Sequence, residues 1–447
     1  MPTNTSQGRA SNLRWGAASA ALRLAVALGL GAAVIPSAQA QTFTDLYNFT
    51  GSPDGTAPTT GLVRDAAGNL YGTTYSGGAS GNGTVYKVDA AGRETVLYNF
   101  CSRKGCADGA IPLAGLIMPA KGSLYGTTNG GGDHGYGTVF RLKLGANGSW
   151  TETVLHSFDL VKTDGAYPQA TPLLDAKGNV YGTTYAGGVF IHTKQCKSLF
   201  QTTGCGVAFK LTPGKNGKWT EKVLYNFAGG PNDGAFPVEG VAMDAKGNLY
   251  GLTGLGGGYY SNGTVYQLKP EKNGSWTETV LYKFASHNND GYDPVGIPAL
   301  DAQGILYGAT SLGGTDGLGT VWKLRPGKRG GWTETVVYNF GQGGQSDGAD
   351  PYAGVILDTK GNIYGSTAEG GGGCEGFGCG AVFELSKTGK LKLLFGFTQT
   401  TLVAPEGPVI RDAKGNLYGT ATFGGADGNP NCQGVLPGCG GVFKLVP

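Results

Sequence analysis

Histidine is nearly missing from this chain: four occur in 447 residues, and methionine contributes only three. The four, His134, His156, His192 and His287, stand in unrelated contexts. A histidine-centred acid–base mechanism or metal site has little to build on. Charge is also sparse. Asp, Glu, Lys and Arg together make up 15% of the chain. Three of the 34 Lys and Arg (Arg9, Arg14 and Arg23) lie in the first forty residues, which hold no acid, so the remainder has 31 charges of each sign. That neutrality removes the electrostatic case for nucleic acid or an anionic membrane as partner. Long apolar runs are absent except for residues 24–35. About a dozen residues is too short to span a bilayer. With three Arg before it and Ser37, Ala38, Gln39 and Ala40 after it, the run reads as a Sec-type signal peptide covering residues 1–40. The mature chain is expected to start near Gln41, to be periplasmic or secreted, and to insert in no membrane.

Glycine is abundant instead, at 84 residues, beside 22 Tyr and 18 Phe. Gly between short apolar runs is turn chemistry for an all-β fold. An anchor Tyr-Gly, preceded each time by Leu, Val or Ile, recurs at Tyr71, Tyr125, Tyr181, Tyr250, Tyr307, Tyr364 and Tyr418, with spacings of 54, 56, 69, 57, 57 and 54 residues. Each unit carries four short runs, here called A to D. In the first unit they centre on Leu62 and Val63, on Leu70 to Thr74, on Thr84 to Val88, and on Glu94 to Phe100. β-branched and aromatic residues bounded by Gly, Asn and Asp mark strands, and no helical period is sustained. Four strands in each of seven units predict a seven-bladed β-propeller over residues 41–447. The ends are complementary. Residues 43–49 form a D run with no A to C before it, and residues 441–445 form a C run with no D after it. The first strand is therefore expected to complete the last blade and close the ring, removing an exposed edge.

The ordered strings Leu-Tyr-Asn-Phe, Asp-Gly-x-x-Pro, Gly-Asn-Leu-Tyr-Gly-Thr-Thr, Gly-Gly and Gly-Thr-Val-Phe-Lys-Leu recur across residues 43–446. In that order they resemble the GloVer tandem repeat of "choice-of-anchor" exported bacterial proteins. The resemblance implies a secreted or envelope-associated protein with a variable C-terminal anchor and no established activity. No such anchor is visible at the end of this chain, so a soluble form is expected.

Eight cysteines fall as neighbours, Cys101 with Cys106, Cys196 with Cys205, Cys374 with Cys379, and Cys432 with Cys439. Four short-range disulfides are expected. Zinc would need Cys-x-x-Cys or His partners, and neither is present. In a propeller the AB and CD turns share one face and the BC and DA loops the other. All four pairs fall in BC or DA loops, as does the insertion at 189–203. Variation on one face and uniformity on the other is how a binding surface sits on a scaffold. Candidate ligand contacts on that face are Tyr75, Tyr185 and Phe423, which could stack on a sugar ring, and the acids Asp133 and Glu369.

Six DA loops carry Asp-Gly with Pro four residues after the Asp, at Asp54, Asp108, Asp164, Asp233, Asp290 and Asp347; the seventh is read as Glu406, Gly407, Pro408. Turn chemistry explains the element, with a cation-holding ring of acids as the functional alternative. The second Thr after Tyr-Gly (Thr74, Thr128, Thr184, Thr253, Thr310, Thr367) is expected to bond an adjacent blade. Neither a sialidase-type Asp-box nor a phosphate loop occurs. The reading is a non-catalytic binding or scaffold propeller for a glycan or an envelope or extracellular protein, without cofactor or metal, and monomeric. The alternatives are a polysaccharide hydrolase or lyase using carboxylates such as Asp133, Glu369 and Glu375, or a purely structural envelope protein.

Overall fold

A computed structural model describes residues 41–447 apart from 121, 161–163, 191–195, 197–203, 259–261, 286–288, 329, 375, 426–431 and 433–437. The expected signal peptide at 1–40, and His192, His287 and Glu375, lie outside the described residues. The chain from residue 40 onward forms one compact unit.

Seven four-stranded antiparallel sheets follow one another, each pairing A–B–C–D in order. Blade 1 is Val63–Arg64, Leu70–Thr74, Thr84–Val88 and Glu94–Asn99. Blade 7 is Ile410–Arg411, Leu417–Ala421, Gly441–Val446 and, as its D strand, Thr42–Asn48. Phe43 stands opposite Leu445 and Asn48 opposite Gly441, so the first strand closes the ring. No described helix is long and apolar enough to cross a membrane.

The Tyr-Gly anchor has a packing cause. A Cβ on Gly126 would lie 2.6 Å from Phe140 Cζ, and one on Gly182 2.6 Å from Phe209 Cζ. The same conflict recurs at Gly72, Gly251, Gly308, Gly365 and Gly419. Each glycine on strand B vacates the space that the aromatic ring of strand C fills. The tyrosine before it reaches the AB turn, where Tyr71 Oη donates to Asp65 at 3.1 Å while Asn69 donates to the same carboxylate. Blades 3, 4, 6 and 7 repeat the whole arrangement with Asp175, Asp244, Asp358 and Asp412.

Blades are joined near the axis by the first Thr after Tyr-Gly, not the second. Thr73 Oγ1 donates to the Ala114 carbonyl of the next blade at 3.0 Å, Thr127 to Ala170, and Thr183 to Glu239. Thr420 donates to Thr60 at 2.8 Å, bridging blades 7 and 1. The second Thr works within its own blade. Thr74 meets Thr84 at 2.9 Å on strand C, and Thr128, Thr253 and Thr310 do likewise. Successive strand residues point to opposite faces, so only one of the pair reaches the neighbour.

The Asp-Gly acids serve the outer seams. Tyr47 Oη donates to Asp54 at 2.7 Å and Tyr98 to Asp108 at 2.8 Å; Tyr225, Tyr282 and Tyr338 do the same with Asp233, Asp290 and Asp347. These carboxylates fasten strand D to the loop that follows it. Glu94, Glu152, Glu221, Glu278 and Glu334 on the next blade stand close enough to Asp54, Asp108, Asp164, Asp233 and Asp290, respectively, to feel their charge. In the same register blades 6 and 7 place Leu391 and Phe43. The closing seam is apolar, with Phe43 stacked on Phe395 at 4.0 Å.

Candidate functional site

The inner A strands of the blades surround a channel. Its wall encloses a cavity of about 450 Å³ lined by apolar residues including Leu62, Leu116, Ile297, Val355 and Val409. On the DA/BC side it opens into a second space of about 360 Å³ that is more polar. Gln169, Glu239, Asp293, Tyr352 and Glu406 line this mouth.

A seven-fold backbone device builds the mouth. The residue before the DA-loop proline has φ between 53° and 59° in every blade: Ala57, Ile111, Tyr167, Phe236, Asp293, Asp350 and Ala404. None is glycine, and each such conformation costs on the order of 1–3 kcal/mol. The surrounding frame imposes it. The amide of Ala57 donates to the Cys439 carbonyl, Ile111 to Asn82, Phe236 to Cys205, Asp350 to Leu318 and Ala404 to Cys379. Each bond comes from the preceding blade, and Cys439 to Ala57 spans the closure. On its other side the turned residue accepts from the start of its own BC loop, as Ala57 does from Tyr75 and Tyr167 from Tyr185.

All four expected disulfides form. Three of them, Cys196–Cys205, Cys374–Cys379 and Cys432–Cys439, hold the residue whose carbonyl fixes the next blade's turned position. They therefore set the mouth as well as tying down long loops. Four disulfides fit an oxidising compartment.

The register of the seventh DA loop differs from the sequence expectation. Pro405, not Pro408, takes the structural place of Pro112 and Pro58, packing on Gly380 as those do on Gly83 and Gly440. Thr401 then stands where the other loops have Asp, and its hydroxyl accepts from the Thr398 amide at 3.0 Å. Glu406 falls one residue past the proline, at the mouth, matching Gln169 and Tyr352.

The electrostatics of the mouth follow from four acids that form no ion pair among the described residues. Asp293 accepts from Ser311 Oγ at 2.8 Å and Glu406 from Thr422 Oγ1 at 2.7 Å. Burial, then Glu369, Asp293 and Glu406, push the Asp350 carboxyl up to about 6. Burial raises Glu239 to about 7. Tyr352, 51% exposed, is raised by burial and by the same carboxylates.

Of the residues singled out from the sequence, two come near this mouth. Glu369 acts on Asp350, and half-buried Tyr185 stacks on Phe236 at 4.9 Å and feels Asp293. The others do not line it. Tyr75 is 40% exposed on blade 1. Phe423 pairs with Val403 and packs on the blade 6–7 core. Asp133 is exposed, its amide donating to the Ser157 hydroxyl. Glu239, Asp293, Asp350 and Tyr352 were not anticipated, and Glu406 was singled out only as the seventh copy of the Asp-Gly element. Aligning the DA loops on their prolines would have shown them, because the flanking positions are where the repeats disagree.

No curated protein sequence matches the chain. Among solved structures, a gluconolactonase from Xanthomonas campestris has 12% identity and a TM-score of 0.41, covering 91% of this chain and 89% of its own. An ulvan lyase has 11% identity and a TM-score of 0.47, with 85% and 93% covered. A putative glucose dehydrogenase from Thermus thermophilus has 16% identity and a TM-score of 0.42, with 91% and 100% covered. Likenesses this distant carry no activity across. The sequence profile of one repeat family matches residues 7–194, 198–377 and 257–445, and the chain belongs to that Gloeobacter/Verrucomicrobia repeat family.

Proposed function

We propose that the protein is an exported, non-catalytic binding propeller that takes a glycan or protein through its DA/BC face, with the channel mouth as the seat. The observation that carries this is the seven-fold frame of turned residues. One repeated backbone presents five kinds of side chain across the seven blades, while the opposite face repeats one Asp-capped turn in most blades. Export rests on residues 1–40 and the four disulfides. It is tested by N-terminal sequencing of the extracytoplasmic protein, which should begin near Gln41. Binding is tested by glycan array and pull-down with Tyr352→Ala and Asp350→Asn. Ligands retained in full by both variants would refute this seat.

A second reading, a polysaccharide hydrolase or lyase, is favoured by one observation. Asp350 is pushed up to about 6 beside Asp293, so one carboxyl is poised to hold a proton near a neighbour in a different setting. Turnover of envelope polysaccharides that is lost in Asp350→Asn would support it, and no turnover across a broad panel would retire it.

A further inference from the structure

The mouth and the channel beneath it differ in chemistry, and Glu239 lines both. Its backbone carbonyl takes the Thr183 hydroxyl at 2.7 Å, which fixes its place on the wall. Its carboxyl has no hydrogen-bond or ion-pair partner among the described residues, and the residue lines the channel and the mouth, where Tyr352 feels its charge. Asp350 likewise has no side-chain partner. Acids left this way in an enclosed space are costly unless something compensates them. No group of described acids, His or Cys is clustered tightly enough to hold a metal ion. Carboxyls spread around a ring suit a larger organic cation, and the aromatic face of Tyr352 at the rim adds to that preference. Below them the wall is mainly apolar, with Leu62, Leu116, Val355 and Val409, and its polar side chains include Thr60 and Thr171. The whole is within the size range of small-molecule sites.

We infer that the channel takes an organic cation on an apolar stem, of the alkylammonium type, with the cation among Glu239, Asp293, Asp350 and Glu406 and the stem in the apolar throat. This rests on the reading of the mouth as the binding seat and names the chemistry that seat selects. An anion is repelled, and a neutral sugar alone leaves the acids uncompensated. The same group is borne by a free amine and by a lysine side chain.

The experiment is calorimetric titration of the full chain at pH 7.5 with hexylamine, ethylamine, hexanol and hexanoate. Hexylamine should saturate one site and bind at least ten-fold tighter than ethylamine, with hexanoate not binding. Glu239→Gln and, separately, Asp350→Asn should each weaken hexylamine at least several-fold while leaving the thermal midpoint in place. A lysine-bearing peptide displaced by hexylamine would assign the natural cation to a protein; hexylamine binding without such a peptide would assign it to a free amine. Equal binding of hexylamine and hexanol, no saturable amine binding, or affinity unchanged in both variants would overturn the inference. A glycan or protein lost in Tyr352→Ala but indifferent to hexylamine and to Glu239→Gln would overturn the inference and leave the face intact. No ligand of any kind lost in Tyr352→Ala would remove both.

Discussion

Raising the pH from 5 to 8 should loosen the outer seams of the ring. Glu278 shows why. Its carboxyl lies on the outer strand of blade 4, with one oxygen buried and unbonded. Burial, then the charge of Asp233 across the seam, push it up to about 8, with Lys283 opposing. Glu94, Glu152, Glu221 and Glu334 are held at about 7 for the same leading reason, burial. A carboxyl whose folded value is raised contributes stability fully below its unfolded value, about 4.3, and loses it as pH rises through the folded value. The loss therefore falls between about pH 4 and pH 8, the interval between the unfolded and folded values. For Glu278 the unscreened figure is about 5 kcal/mol. The site is only partly enclosed, so solvent screening leaves about 1 kcal/mol. Scaled the same way, the four seams held at about 7 add about 0.7 kcal/mol each, so the five give about 4 kcal/mol, or about 5 °C in Tm for a chain of this length. Circular dichroism melts at constant ionic strength, at pH 5, 6, 7 and 8, measure it. A variant carrying Glu94→Gln, Glu221→Gln, Glu278→Gln and Glu334→Gln should lose most of the slope; Glu152, paired with Arg103 at 2.8 Å, is left in place. A Tm that is flat or rising in the natural chain, or a slope unchanged in the variant, would refute the reasoning. The seam between blades 6 and 7, where Phe43 packs on Phe395 and other seams offer Glu, should keep its protection throughout.

Three further outcomes follow from the packing. Gly182→Ala should destabilise by about 1–3 kcal/mol in urea denaturation, because the new Cβ meets the buried ring of Phe209. Thr420→Val keeps shape but strands the Thr60 carbonyl; about 1–2 kcal/mol should be lost, with faster hydrogen exchange concentrated at the blade 7–1 seam. Replacing Cys196 and Cys205 by Ser should cost about 2 kcal/mol. Its local mark is faster exchange of the Phe236 amide, which bonds the Cys205 carbonyl.

Much of the architecture was determined by features that act over short stretches of chain. Seven Tyr-Gly anchors count the blades because strand B must surrender a Cβ to the ring on strand C in each one. A D run at the start and a C run at the end can satisfy their edges only by pairing, as Thr42–Asn48 does with Gly441–Val446. Cysteines five to nine residues apart pair with their neighbours. The seventh DA loop shows where local pattern misleads. Glu406, Gly407 and Pro408 imitate the Asp-Gly-Pro element, yet the packing of Pro405 on Gly380 sets the register. The mouth was decided only by ring closure. Glu239 and Glu406 lie in different blades and meet because each A strand faces the axis. The positive φ beneath them leaves no glycine to announce it, since the amide bond from the preceding blade enforces the turn whatever the side chain. Repetition in the sequence thus specified the frame, and the axis of the closed ring selected which non-repeating residues share one site.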